Sequence, residues 1–316
     1  MTVTDQQEGQ QHRPRIWAIG GGKGGVGKSV IASGLAMSLA ARGERCILFD
    51  ADLGGANLHT FVGMPNPQRT ISDLFRRAAA TLDDILLPTP FPNLSLISGA
   101  RAQLDMANPA WLQKVKLIRQ LTILPADHIF IDLGAGSSFN MLDFFLAAQN
   151  GLLVLMPTPT AIENTYHFLK ASYYRRLRSV IRHLEAEDLV DAALATKVQN
   201  GVRSPRELLL DLQQRDPQVA QRLQRAMARF TPKLVVNQVQ RSEDRELGAK
   251  MVIACRDFFG IDMGEPALIR NDERVLVALK SRRPVLEMFP GGPFAEDIRR
   301  LLALMLPAKE ASHGQR

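Results

Sequence analysis

The sequence predicts a three-layer α/β sandwich, with a mostly parallel central sheet covered by helices on both faces. Three observations predict it. Short, continuously apolar runs recur and end in polar residues or turn formers. Helix-like stretches separate most of these runs. A glycine-rich segment, GGGKGGVGKSV (20–30), joins the first run to the first helix. Apolar strands alternating with helices are strands buried on both faces, as in a parallel sheet with crossover helices.

The elements follow in order. RIWAIG (15–20) is a short β-type run ending in glycine, and residues 27–42 read as a helix with Val30, Leu35 and Leu39 among small residues. RCILFD (45–50) is a second buried strand. LSLISG (94–99), HIFIDL (128–133), LLVLMP (152–157) and KLVVNQ (233–238) repeat the pattern, with helical stretches at 108–124, 138–149 and 243–259. Residues 161–230 break the rhythm. They carry no strand signal and read as three or four helices, separated at GVRSP and RDP. SPRE (204–207) is a capping box with proline at the first helical position. From 171 to 230 there are eleven Lys/Arg against seven Asp/Glu, a net of +4 out of the chain's +7. The expected organisation is a disordered tail (1–14), one domain (15–306) holding an all-helical basic insert (161–230), and a flexible tail (307–316).

Composition bounds the function. With 46% apolar and 6% aromatic residues, the chain of 316 can bury a large, mainly aliphatic core. No apolar run reaches the roughly 18 residues needed to cross a bilayer. The first 14 residues lack the apolar centre of a signal peptide. Cys46 and Cys255 stand far apart without partner spacing, and the six histidines show no paired spacing. Both facts argue against a disulfide framework or a zinc site and fit a cytosolic protein. The positive balance admits nucleic acid or anionic lipid as a partner.

GGKGGVGKS (21–29) follows a strand, opens a helix and satisfies G-x-x-x-x-G-K-[ST] with Gly22, Gly27, Lys28 and Ser29. Such glycines let backbone N–H groups surround a phosphate at the positive end of a helix. Lys28 would neutralise the β- and γ-phosphates and Ser29 would ligate Mg²⁺. FDADLGGAN (49–57) supplies Asp50 and Asp52, and HIFIDLGAG (128–136) supplies Asp132. An acid at the end of an apolar strand holds such a metal through water. The alternative, a carboxylate that only caps a helix or steadies a loop, applies above all to Asp50. Lys23 is one lysine more than a phosphate loop needs.

Together, KGGVGKS (23–29), DADLGGAN (50–57), IDLGAG (131–136) and VVNQ (235–238) resemble the MinD/ParA family of deviant Walker A P-loop ATPases. The likeness covers roughly residues 15–300 with the insert set aside. The D-A-D-L-G-x-A-N form and the G-A-G after Asp132 are most similar to the branch containing MinD and FlhG. The resemblance implies ATP or ADP held by Gly22, Gly24, Gly25, Val26, Gly27, Lys28, Ser29 and Val30, with Mg²⁺ at Ser29, Asp52 and Asp132. It implies that Lys23 crosses a homodimer interface to the partner's ATP, as an arginine finger does. It makes Lys23, Lys28 and Asp52 the catalytic set, with Asp52 positioning the attacking water and Gly54–Asn57 moving with nucleotide state. Asn237 would hydrogen-bond adenine, or would simply end a strand. IRND (269–272) departs from the family's I-P-x-D, and Arg270 either stacks on the base or faces solvent.

The implied function is a slow, dimer- and partner-stimulated ATPase switch of a bacterial cytoplasm, placing or numbering flagella or positioning another polar structure. It would act through a protein partner at the insert, or at the inner face of the membrane or a cell pole. A ParA-type ATPase that binds DNA non-specifically is the alternative. YYRRLRSVIRHL (173–184) reads as a solvated face, a docking surface, or a contact for DNA backbone or anionic lipid. The last helical stretch places Phe294, Ile298, Leu301, Leu302 and Met305 at helical spacing. It could lie on a bilayer, but Pro307 and the apolar-poor AKEASHGQR favour a core helix.

Overall fold

The computed structural model describes residues 13–52, 55–99, 111–195 and 205–306. Strands β1 (Arg15–Gly20), β2 (Cys46–Asp50), β3 (Leu87–Pro88), β4 (Leu94–Ile97), β5 (His128–Asp132), β6 (Asn150–Leu155), β7 (Lys233–Val239) and β8 (Ala267–Arg270) form one sheet. Its order is β3-β4-β2-β5-β1-β6-β7-β8, parallel throughout except for the two-residue edge strand β3. Helix α1 (Lys28–Ala40) follows β1, and the short α2 (Leu58–Phe61) and α3 (Ile71–Phe75) follow β2. Then come α4 (Trp111–Leu121), α5 (Phe139–Ala147) and α6 (Pro159–His183), and after them α7 (Glu187–Ala195), α8 (Pro205–Arg215) and α9 (Pro217–Met227). The chain closes with α10 (Ser242–Phe259), α11 (Glu273–Lys280), α12 (Val285–Met288) and α13 (Pro293–Met305).

Two cores lie on the two faces of the sheet, because successive strand residues point to opposite sides. Ile16, Ala18, Ile129 and Leu153 face α4, α5, α6 and α10. Trp17, Ile19, Phe130 and Val154 face α1 and α13. Helix α1 is buried on nearly every side since α13 lies across it. At Gly34 an added Cβ would sit 3.2 Å from the Phe294 ring, so a small residue there admits the second helix layer. The last helix is therefore core: Phe294, Ile298, Leu301, Leu302 and Met305 are all buried. No helix among the described residues is long and apolar enough to cross a membrane.

Helix α6 has 25 residues, about 37 Å at 1.5 Å per residue. Strand β6 has six, about 20 Å. The helix starts beside the glycine-rich loop, covers the sheet with Phe168 and Leu169, and overhangs it at the other end. The overhang carries α7, α8 and α9, whose Val190, Leu208, Leu212, Leu223 and Met227 join the same core as the sheet. Pro205 opens α8 and Asp216 caps α9 by accepting from the N–H groups of Gln218 and Val219. Ser204, the cap expected for α8, lies outside the described residues. Tyr173 is buried against Phe230 and Phe259, and Cys255 is buried in the core with its thiol pushed up to about 11 by burial.

Candidate nucleotide site

The glycine-rich loop runs from the C-terminal end of β1 to the first turn of α1, at the end of a parallel sheet where ligands bind. Its glycines are demanded by close approach and by handedness. A Cβ at Gly22 would stand 2.0 Å from the Asn164 carbonyl of α6. Gly27, the residue preceding α1, has φ of 99°, a left-handed conformation costly for other residues.

Lys28 is 7% exposed, and its Nζ donates to the Lys23 carbonyl across 3.1 Å. Burial pushes the ammonium pKa down, while the Asp132 and Asp52 carboxylates pull it up. A desolvated cation with a single carbonyl partner gains strongly from an anion beside it. Ser29 hydrogen-bonds the Asp132 carboxylate. Asp132 is buried, and its Oδ1 has no hydrogen-bond partner among the described residues. An orphaned buried carboxylate oxygen beside a hydroxyl and a second carboxylate is an all-oxygen donor set that fits a hard divalent cation. Ser29 and Asp132 could hold Mg²⁺, with Asp52 facing the same cleft.

Asp50 pairs in register with Asp132 on the neighbouring strand, but its oxygens are engaged elsewhere. They accept from the N–H groups of Asp52 at 3.2 Å and Leu58 at 2.9 Å. Asp50 thus ties Asp52 and the start of α2 to the end of β2. Asp52 Oδ1 accepts from Gly55 N–H at 3.1 Å and lies over Gly134. Gly54, expected to move with nucleotide state, lies outside the described residues.

Burial, with the neighbouring Asp132 charge, pushes Asp50 up to about 8. Burial pushes Asp132 up to about 7 against the lowering effects of Ser29 and Lys28. Both start from 3.8 in the unfolded chain, so the folded chain holds more protons through the intervening range. Stability of the ligand-free chain should therefore fall as pH rises from about 4 to 8. Thermal unfolding should show a midpoint several degrees lower at pH 8 than at pH 5. Asp132→Asn should flatten that slope, and an unchanged slope would contradict the placement of this acid.

Lys23 lies at the exposed lip of the loop, its Nζ donating to the Thr160 hydroxyl at 2.9 Å. Asn237 is 4% exposed, and its Nδ2 donates to the Val26 carbonyl at 2.8 Å. This residue braces the loop from the end of β7, where Gln238 has φ of 60° and the pairing with β8 slips. Beyond it opens a cleft of about 570 Å³, lined by the loop, Asp52, Asn237 and Arg270, with Phe61, Leu276 and Leu279 as an apolar wall. Arg270 neither lies free over the cleft nor simply faces solvent. Its guanidinium pairs with Asp297 at 2.9 Å and Glu296 at 2.8 Å and donates to the Pro293 carbonyl.

The structure thus brings together Lys28, Ser29, Asp52, Asp132, Asn237 and Arg270 around one cleft. Thr160 and Asn164 carried no local sequence signal for their contacts. Asp297 alone left a hint, as an acid among the apolar positions of an amphipathic helix.

The "CobQ/CobB/MinD/ParA nucleotide binding domain" profile matches residues 17–285. The antiactivator FleN of Pseudomonas aeruginosa is 34% identical over 167 residues, 52% of this chain and 59% of that protein. The flagellum site-determining protein YlxH of Helicobacter pylori is 33% identical over 155 residues, 48% of this chain and 52% of that one. The matched stretches thus span little more than half of these relatives. The septum site-determining protein MinD of Pyrococcus horikoshii, solved with Mg-ADP, shares the fold with a TM-score of 0.62 at 20% identity, over 93% of this chain and 96% of that one. Flagellar and MinD proteins are the relatives that the D-A-D-L-G-x-A-N motif anticipated. The chain belongs to the CobQ/CobB/MinD/ParA nucleotide-binding family.

Proposed function

We propose that the chain is an ATP-dependent switch that pairs with a second copy around two ATP–Mg²⁺, hydrolyses slowly and regulates spatial organisation, such as flagellar placement or number. One observation carries this reading. The phosphate site is furnished by Lys28, Ser29 and Asp132 without Lys23, whose ammonium stands exposed at the lip with Thr160 as its one hydrogen-bond partner among the described residues. A cation so placed can turn outward to a phosphate held by another copy.

Within one chain, the loop N–H groups and Lys28 bind and orient the phosphates. Ser29 and Asp132 would hold Mg²⁺, which would supply charge neutralisation on the phosphate oxygens. Asp52 orients the attacking water, and Lys23 from the second copy meets the charge that grows as the γ-phosphoryl group leaves. The apolar wall of Phe61, Leu276 and Leu279 takes the base, with Asn237 at its edge. Hydrolysis is then conditional on pairing, and a target that recognises only the pair shifts the equilibrium toward it. Such a target is a protein partner at the α7–α9 region, with the cytoplasmic face of the membrane or a cell pole as the place of action.

Light scattering with ATP against ADP tests the reading. Asp52→Ala should bind ATP, hydrolyse it about 100-fold more slowly and accumulate the pair. A variant that stays monomeric with ATP at high concentration would sink the sandwich. The net positive charge of the insert supports a second reading, a ParA-type ATPase on DNA. It predicts ATP-dependent DNA co-sedimentation that falls steeply with salt.

A further inference from the structure

Helix α13 buries one charged residue. Phe294, Ile298 and Leu301 pack on α1 and β8, and Asp297 lies among them at 2% exposure. A buried carboxylate is costly unless its oxygens are engaged. Apolar residues of similar volume often replace a buried ion pair without loss of stability. Packing alone therefore does not call for an acid at this position.

Asp297 bonds above all to one residue. Its Oδ2 accepts from the Arg270 backbone N–H and from Arg270 Nε, each at 2.9 Å, and its Oδ1 accepts from Arg270 Nη2 at 2.9 Å. Glu296 and the Pro293 carbonyl also accept from Nη2, and Arg300 reaches Asp297 Oδ1 at 3.0 Å. One carboxylate thus fixes both the end of β8 and the plane of the guanidinium. Proline, which the I-P-x-D form would place at 270, has no N–H and could make none of these bonds. A second tie runs beside the first. Asp272 caps α11 by accepting from Arg274 N–H, and it also accepts from Phe294 N–H at 3.2 Å. Arg270 and the Leu276–Leu279 wall are therefore both fastened to the first turns of α13.

Arg270 lines the nucleotide cleft, and its Nη1 makes no hydrogen bond among the described residues. With one edge held, the flat cation keeps its faces for a ligand. A nucleobase is a flat aromatic ligand on which such a cation stacks. We propose that Asp297 is a positioning residue for the nucleobase, holding Arg270 as a stacking surface at the base end of the cleft. The inference rests on the reading of this cleft as a nucleotide site.

Calorimetry on the full-length chain tests it, with ATP–Mg²⁺ and inorganic tripolyphosphate–Mg²⁺ as probes. Tripolyphosphate carries the phosphates without the base. Arg270→Lys keeps the charge and loses the plane. It should weaken ATP about 10-fold and leave tripolyphosphate within about two-fold. Asp297→Asn should weaken ATP to a similar extent. It should cost little more when Arg270 is already Lys, because it acts through that residue. Asp297→Glu keeps the buried charge and moves the carboxylate by one methylene, and it gives the same test where the neutral variant does not fold. An unchanged ratio of ATP to tripolyphosphate affinity in Arg270→Lys would overturn the inference. So would an equal loss of both probes in the Asp297 variant, or additive losses in the double variant. Lys28→Ala should lose both probes. A Lys28→Ala chain that keeps both would instead remove the nucleotide reading of the cleft, and this inference with it.

Discussion

Replacing Lys28 with alanine is expected to weaken ATP binding by about 100-fold or more, with the fold intact. Lys28 is buried, and among the described residues it has only the Lys23 carbonyl as a hydrogen-bond partner. Its burial disfavours the charge, with partial relief from Asp132 and Asp52. Removing the cation therefore relieves a desolvation cost in the empty site while deleting the main counter-charge of bound phosphates. The expected signature is a thermal midpoint that holds or rises without ligand and no longer responds to ATP–Mg²⁺. Wild-type affinity by calorimetry in this variant would remove the phosphate assignment of the cleft.

Lys23→Ala should separate binding from turnover. The side chain is exposed and makes one hydrogen bond to Thr160, so its loss costs little stability. ATP affinity should stay within a few-fold of the parent chain. Hydrolysis measured at concentrations where the parent pairs should fall by about 1,000-fold, the scale of a cation supplied in trans. Mixing Lys23→Ala with Lys28→Ala chains makes the test sharper. One site of the mixed pair then combines an intact Lys28 with a Lys23 from the other chain, and part of the activity should return. A mixture no more active than its components would place Lys23 in its own chain's site.

Much of the fold was legible because its determinants are local. Six of the sheet's strands, β1, β2, β4, β5, β6 and β7, announce themselves as short apolar runs, since a strand buried on both faces needs no polar alternation. The four-residue edge strand β8 does not. β3 did not, being two residues long and ending in Pro88 at the sheet edge. α6 was read as part of an insert because its apolar stripe continues without a break from the sheet-covering turns into the overhang. Only the sheet beneath it marks where one role ends. In the site, Asp50 shows the limit of motif reading. Its position in DADLGGAN resembles that of a ligand, but its carboxylate is taken by the N–H groups of Asp52 and Leu58.

By itself the sequence determined the phosphate loop and its acids, because strand, glycines, Lys28 and Ser29 are contiguous and their geometry follows from backbone rules. It also determined the parallel architecture. Tertiary structure decided what distant side chains do with their charges. Arg270 is tied to Asp297 and Glu296, Arg175 to Asp143, and Lys23 rests on Thr160, 137 residues away. Helical phase and packing choose such partners, and neither is written in the spacing of residues along the chain. The same packing pairs Arg175 with Asp143 and seats Arg176 on the Ala226 carbonyl and the Phe230 ring.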